Sequence, residues 1–272
     1  MTDLSRFAIH TFTTKPWPFE IAVAKYAEAG VSGVSVWKES IEGIAPAKAA
    51  ALLRGAGLAA VSMVRGGFFA AASEDERRRK IADNIALIHA TAELGAPHIV
   101  LVCGADPRVP LDVARRQVEA GIEAILPEAE KSGVRLAIEP LHPMYADTRS
   151  VVNTMAQAND LCANIGHPGL GVAIDVYHTW WDPQLETEIT RCGKMGKIFA
   201  FHVCDWKSPT LDMLNDRGLM GEGCIDIPRI RGWVEKAGFA GFVEVEIFSD
   251  IYWKMDQNIF LEMIKAAWRD KV

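Results

Sequence analysis

Four apolar, strand-like segments in the second half of the chain each end in a residue able to ligate a metal. RLAIE ends in Glu139, LGVAID in Asp175, FAFH in His202 and FVEVE in Glu246. Three carboxylates and one imidazole brought to a point make a divalent-cation site with positions left open for a ligand. Carboxylates inside apolar runs are costly to bury unless they are paired, hydrogen-bonded or metal-bound. Three of them side by side repel strongly without a cation between them. Oxygen donors with one imidazole suit Mn²⁺ best, fit Mg²⁺ and Co²⁺, and admit Zn²⁺. No second cluster of His and Asp stands out in the sequence, so a single ion is expected.

Strand alternation refines this picture, because side chains two apart share a face. Ala137, Ala173 and Ala200 stand two residues before Glu139, Asp175 and His202, while Glu244 stands two before Glu246. Ligands pointing into a barrel mouth would have three alanines beneath them and room for one larger polar side chain. Glu244 is then expected below the ion; the alternative is that Glu244 binds it and Glu246 faces a substrate.

The elements that must position these residues alternate from end to end. Strand candidates are FAIHTF (7–12), GVSVW (33–37), AAVSMV (59–64), HIVLVC (98–103), RLAIEP (135–140), GVAIDVY (171–177), IFAFHVCDW (198–206) and GFVEVEIF (241–248). They are apolar on both faces, as parallel strands covered by helices must be. Helical stretches with polar stripes lie between them, several closing on a glycine suited to a left-handed terminus (Gly30, Gly57, Gly95, Gly133, Gly238). Repeated βα units imply a parallel sheet with right-handed crossovers. About eight units fit the length, and barrels of this kind run about 250 residues. The expectation is therefore an α/β fold, one (β/α)₈ TIM-barrel domain over residues 1–272. No G-x-G-x-x-G opens the first helix, which weakens a doubly wound dinucleotide-binding alternative. The irregular stretch 207–223 after the seventh strand is expected to be a loop over the site.

The net charge of −6 over 272 residues argues against a nucleic-acid groove, which needs surplus Lys and Arg. Five scattered cysteines without a C-x-x-C pair read as reduced, mostly buried thiols. MTDLSRFAIHTF lacks a basic segment followed by an apolar one, and no run is apolar enough to span a bilayer. A cytoplasmic protein with no membrane partner is expected.

The segments IEPLHP, AIDVYH, FHVCDW, RGLMGEGCIDIPRI and VEIFSDIYW together resemble the xylose isomerase-like TIM-barrel superfamily, the sugar phosphate isomerase/epimerase group. That group includes inosose isomerase and D-tagatose 3-epimerase. The resemblance covers most of the chain and is strongest from Leu136 onward. It implies that Glu139, Asp175, His202 and Glu246 ligate the metal, and that Glu139 and Glu246 are also the acid/base pair. His178, in DVYH, and Arg217, in NDRGLMGEG, resemble residues that contact substrate there. His142 lies just past Glu139, Arg65 closes the third apolar run beside two glycines, and Trp37 ends the second. All three are candidates for a polyol pocket. The resemblance implies a sugar or polyol substrate, enolised between a metal-bound carbonyl and hydroxyl. An endonuclease is disfavoured by the acidic chain and by Arg65 where that branch needs further ligands.

Three function classes follow. The leading one is a metal-dependent isomerase or epimerase of a ketose, inosose or related keto-polyol. The second is a lyase or dehydratase on a keto-sugar or dehydroshikimate-like substrate, in which the same enolate expels a β-substituent. The third is a non-catalytic sugar-binding barrel, which requires a defective metal site. Assembly into a homo-oligomer is compatible with the abundance of Trp.

Overall fold

The computed structural model describes residues 4–272; the first three residues of the N-terminal segment read above lie outside them. The strands are β1 (Phe7–His10), β2 (Gly33–Trp37), β3 (Ala59–Gly67), β4 (His98–Val102), β5 (Arg135–Glu139), β6 (Leu170–Asp175), β7 (Ile198–Val203), β8 (Asp205–Trp206), β9 (Arg217–Gly218) and β10 (Val243–Val245). All except β8 and β9 are parallel and close into a barrel in the order β1-β10-β7-β6-β5-β4-β3-β2. The helices are α1 (Phe19–Glu28), α2 (Pro46–Gly55), α3 (Glu74–Leu94), α4 (Leu111–Lys131), α5 (Met155–Ile165), α6 (Val176–Thr179), α7 (Leu185–Lys194), α8 (Ile227–Lys236) and α9 (Gln257–Lys271). The eight expected strands are all present and the (β/α)₈ fold holds. Among the described residues no helix is long and apolar enough to cross a membrane.

The barrel strands are apolar throughout because each faces two apolar layers. One face of the sheet packs on the helices; Phe7, Ile9, Val34, Ile99, Leu136, Ile174 and Phe201 belong to this large cluster. The other face fills the barrel with a smaller cluster containing Ala137, Ala173 and Ala200 together with Trp37, Val64 and Val100. The three alanines thus lie under the strand ends, as the alternation required. The glycines expected to close helices all have positive φ, from 68° at Gly133 to 99° at Gly238.

Two local departures matter for the mouth. Arg65 does not end its strand, which continues to Gly67; the β3–β4 register shifts between Val64 and Gly66, leaving Arg65 as the extra residue. A bulge of this kind re-aims a side chain that strict alternation would send to the helix layer. Gly67 is indispensable there: its φ is +101°, and a Cβ would lie 2.1 Å from the Val102 carbonyl oxygen. Asn84 of α3 clamps the turn, its Oδ1 accepting from Gly67 N–H at 2.6 Å and its Nδ2 donating to Gly67 O at 2.8 Å. The second departure is the stretch after β7, which is no featureless loop. It returns as β9 to pair antiparallel with β8, bringing Arg217 back over the barrel.

Candidate active site

The chain's local folding delivers four donors to one end of the barrel. Glu139 and Asp175 are the last residues of β5 and β6, His202 is the penultimate residue of β7, and Glu246 follows β10 directly. Asp175 and Glu244 both stand level with His202, in the registers on its two sides. One ligand atom from each of Glu139, Asp175, His202 and Glu246 lies within 4.8 Å of all the others. All four residues are buried. A second, overlapping group joins His10, His202 and Glu246; Glu244 belongs to neither group.

Glu244 instead lies among the histidines and serines of the barrel interior. Its Oε2 accepts from Ser35 Oγ at 2.5 Å and from Ser62 Oγ at 3.5 Å. The Nε2 atoms of His10 and His202 approach the same oxygen at 3.4 and 3.5 Å, as charge contacts rather than aligned hydrogen bonds. The other ring nitrogens reach upward: His202 Nδ1 lies 3.1 Å from Glu139 Oε1, and His10 Nδ1 lies 3.1 Å from Glu246 Oε1. His10 Nδ1 also lies 3.2 Å from the Trp37 indole nitrogen. The two contacts are exclusive, since a protonated Nδ1 donates to Glu246 and cannot accept from the indole. Burial alone would lower the His10 pKa, but the nearby carboxylates, Glu246 first, outweigh it and raise it.

Three buried carboxylates distort one another's titration. Burial lifts the Asp175 carboxyl to about 7 against the pull of Arg217, with Glu246 and Glu139 adding to the rise. Burial would lift Glu246 as well, but His10 and Arg217 hold it well below the usual carboxylate range. His202 is raised well above the usual imidazole value: Glu244 and Glu139 overcome the opposing effect of burial. The neighbouring carboxylates push both Asp175 and His202 upward. A divalent cation would neutralise this crowded charge, and the donor types and mutual distances fit one.

Arg217 is the fixed cation of the site. Its Nη1 donates to Asp175 Oδ2 at 3.2 Å, to Glu246 Oε2 at 2.8 Å and to the Glu246 carbonyl at 3.2 Å. Its guanidinium carbon lies 4.4 Å from the Tyr177 ring centroid and 4.8 Å from that of Phe248, so two aromatic faces hold its plane. Nη2 lies 3.4 Å from His178 Nε2. Burial first, then the Arg217 charge, push the His178 pKa well down, which keeps this imidazole neutral. A neutral ring accepting at Nε2 carries its proton on Nδ1, and that atom is buried without a partner.

The remaining sequence candidates divide. Trp37, Arg65, His178 and Arg217 line one cavity with Glu139 and Glu246. Trp37 is also structural, its ring stacked 4.5 Å from Phe12. His142 lies outside that lining. Its Nδ1 accepts from Met144 N–H, and its ring packs 5.0 Å from Trp206 and 5.6 Å from Trp181. The sequence reading passed over His10, although FAIH obeys the same rule of an apolar run closing on a ligand type. It also passed over Tyr145 and Arg149, which line the cavity from the segment after β5 and carry no pattern to mark them. The loop 207–216 crosses the mouth, where the Tyr145 hydroxyl and the Tyr177 hydroxyl both donate to the Met213 carbonyl.

Comparison with known proteins identifies the fold and the family. A family model described as xylose isomerase-like TIM barrel matches residues 23–267. Inosose isomerase of Bacillus velezensis is 27% identical over 208 residues, which span 74% of this chain and 70% of that protein. The crystal structure of a protein from Sinorhizobium meliloti 1021 is 44% identical, covers 99% of both chains and superposes with a TM-score of 0.96. The crystal structure of IOLI protein with a bound zinc atom is 18% identical, covers 98% of both chains and has a TM-score of 0.86, a likeness of fold.

Proposed function

The chain belongs to the xylose isomerase-like TIM-barrel family, and on that premise we propose that it is a divalent-metal-dependent sugar isomerase or epimerase acting on a ketose, an inosose or a related keto-polyol. In this reading residues 1–272 work as one barrel domain. The observation that carries the proposal is the convergence of Glu139, Asp175, His202 and Glu246 within 4.8 Å in a buried mouth. The similarity to inosose isomerases supports a keto-polyol substrate. One ion is held by these four residues, with Mn²⁺ the best match to the donor set and Zn²⁺ the other ion to test first.

When bound, a divalent cation supplies Lewis acidity that favours enolisation of a neighbouring carbonyl. The residues do the rest. His10 and Arg217 keep Glu246 ionised, the form that can accept a proton from carbon, while the same contacts weaken it as a base. Glu139 reaches the pocket from β5, with β6 and β7 intervening between it and β10. Two carboxylates on different sides of the substrate allow removal of a proton on one side and its return on the other. Arg217 and the Nδ1–H of His178 face the substrate oxygens, where fixed donors stabilise developing negative charge.

The test is turnover in D₂O of purified, metal-loaded protein with ketoses and inososes. Deuterium in a recovered isomer or epimer is expected, with loss of exchange in Glu139→Gln and Glu246→Gln. Elimination of water assigns the lyase outcome at the same site. Protein that binds no divalent ion and exchanges no C–H refutes the proposal.

A further inference from the structure

Tyr177 is buried in the turn of helix that follows β6, and it touches two parts of the mouth at once. Its ring centroid lies 4.4 Å from the Arg217 guanidinium carbon and 4.8 Å from the Trp206 ring centroid. Its hydroxyl donates to the Met213 carbonyl at 3.1 Å, at the crown of loop 207–216.

Loop 207–216 is stitched mainly to itself. The Asp216 carboxylate ties its two ends, accepting from Lys207 Nζ at 3.0 Å and from the Leu211 N–H at 2.7 Å. Asp212 Oδ1 accepts from the N–H groups of Leu214 and Asn215 at 2.8 and 2.7 Å. Among the described residues, segment 208–214 makes only two hydrogen bonds to the barrel, from the Tyr145 and Tyr177 hydroxyls to Met213. Leu214 lines the cavity, while Leu211 and Met213 are 81% and 53% exposed. A surface segment latched at one carbonyl opens at low cost.

The far end of the loop is fixed. Asn215 O accepts from the Asp250 N–H at 3.0 Å, and the Arg217 N–H donates to the Phe248 carbonyl at 2.9 Å. The Arg217 backbone therefore stays in place when the crown lifts, and it is the side chain that can feel the loop. Tyr177 is the link, because its ring and hydroxyl form one rigid group. The carboxylate partners of Arg217 do not make this support redundant. A cation on Asp175 and Glu246 would weaken their hold on the guanidinium, whereas the Tyr177 and Phe248 faces keep theirs.

We propose that Tyr177 is a positioning residue: its hydroxyl latches loop 207–216 as a lid over the mouth, and its ring seats Arg217 toward the substrate oxygens, so that lid closure and Arg217 placement are coupled. This rests on the enolising reading above for the work Arg217 does, and adds how the site closes around its substrate.

Tyr177→Phe and Tyr177→Leu separate the two parts in the metal-loaded protein. The Phe variant keeps the ring and loses the latch. Amide exchange across 207–216 is expected to quicken about fivefold, with KM for D-fructose or 2-keto-myo-inositol rising by a similar factor and kcat staying within about twofold. The Leu variant loses both parts, and kcat is expected to fall by about a hundredfold more, the scale of a misplaced catalytic group. A second readout needs no substrate. Arg217 Nε is buried without a partner, so the exchange of its proton, followed by NMR, reports seating alone. It is expected to follow the loop amides in the Phe variant and to become far faster in the Leu variant. Melting temperature and Mn²⁺ binding check the fold of each variant, and Tyr177→Met takes the place of Tyr177→Leu if the latter does not fold. The proposal is overturned if Tyr177→Phe exchanges its loop amides at the original rate, or if Tyr177→Leu matches Tyr177→Phe in kcat or in Arg217 exchange. The expected exchange changes without turnover of either compound would leave the coupling standing and count against the function on which it rests.

Discussion

Glu244→Gln separates a ligand from a residue that positions one. In the structure Glu244 stands apart from the four-donor cluster, and its Oε2 lies 3.5 Å from His202 Nε2 on the far side of that ring from Glu139. An imidazole that binds a cation through Nδ1 must carry its remaining proton on Nε2, and a carboxylate facing Nε2 holds that tautomer in place. The substitution keeps the shape and leaves an oxygen for the Ser35 hydroxyl, now 2.5 Å away. What is removed is one charge. Interactions with a charged partner contribute about 1.5–3 kcal/mol and neutral ones about 1, so the deficit is about 0.5–2 kcal/mol. That corresponds to roughly a two- to thirtyfold weaker metal site, overlapping the range of about 10- to 100-fold found for such supporting carboxylates. Competition of Mn²⁺ between the protein and a metal-indicator dye measures it directly. Glu246→Gln is expected to cost much more, because a direct donor is lost. If Glu244→Gln binds Mn²⁺ like the unaltered protein, the tautomer argument fails. If it abolishes binding while Glu246→Gln retains it, Glu244 is the ligand and the assignment of the cluster is wrong.

His98, buried at the start of β4 with neither ring nitrogen partnered, has its pKa lowered by burial from 6.5 to about 4. The unfolded chain takes up that proton first as pH falls, so the stability is full above about 6.5 and is lost progressively down to about 4. The loss is about 3 kcal/mol, and His98→Leu should flatten the urea-unfolding profile over that window; an unchanged slope would contradict the assignment. Gly67→Ala forces a Cβ to 2.1 Å from Val102 O at a φ of +101°, and should destabilise the fold by about 3 kcal/mol or more in denaturant titration. An Ala variant of ordinary stability would show that β3 does not need this bulge. Replacing both Tyr145 and Tyr177 by Phe removes the two hydroxyls that donate to the Met213 carbonyl. At about 1 kcal/mol each, loop 207–216 should open roughly tenfold or more often, read as faster amide exchange there; exchange confined to its original rate would place the restraint elsewhere.

Much of this molecule was written in its local patterns. Apolar runs of strand length, amphipathic helices between them and glycines at helix ends are enforced within a few residues, so eight βα units could be read before any contact was known. The four ligand types stood out for a related reason: a carboxylate or imidazole closing an apolar strand has only the barrel mouth to go to. His10 obeys the same rule on the first strand and was legible by it. Other features depend on partners far away in the chain. Glu244 and Glu246 have the same parity, and only the closed barrel shows that the first meets His10, His202 and Ser35 while the second joins Glu139 and Asp175. Arg65 reaches the mouth because of a register shift against β4, and the His142 ring packs beside Trp206 and Trp181, contacts made across loops far apart in the chain. Arg149 carried no signal at all. Periodicity records which face a residue prefers; the depth it reaches and the charge it meets are fixed by barrel closure, where strands distant in sequence become neighbours.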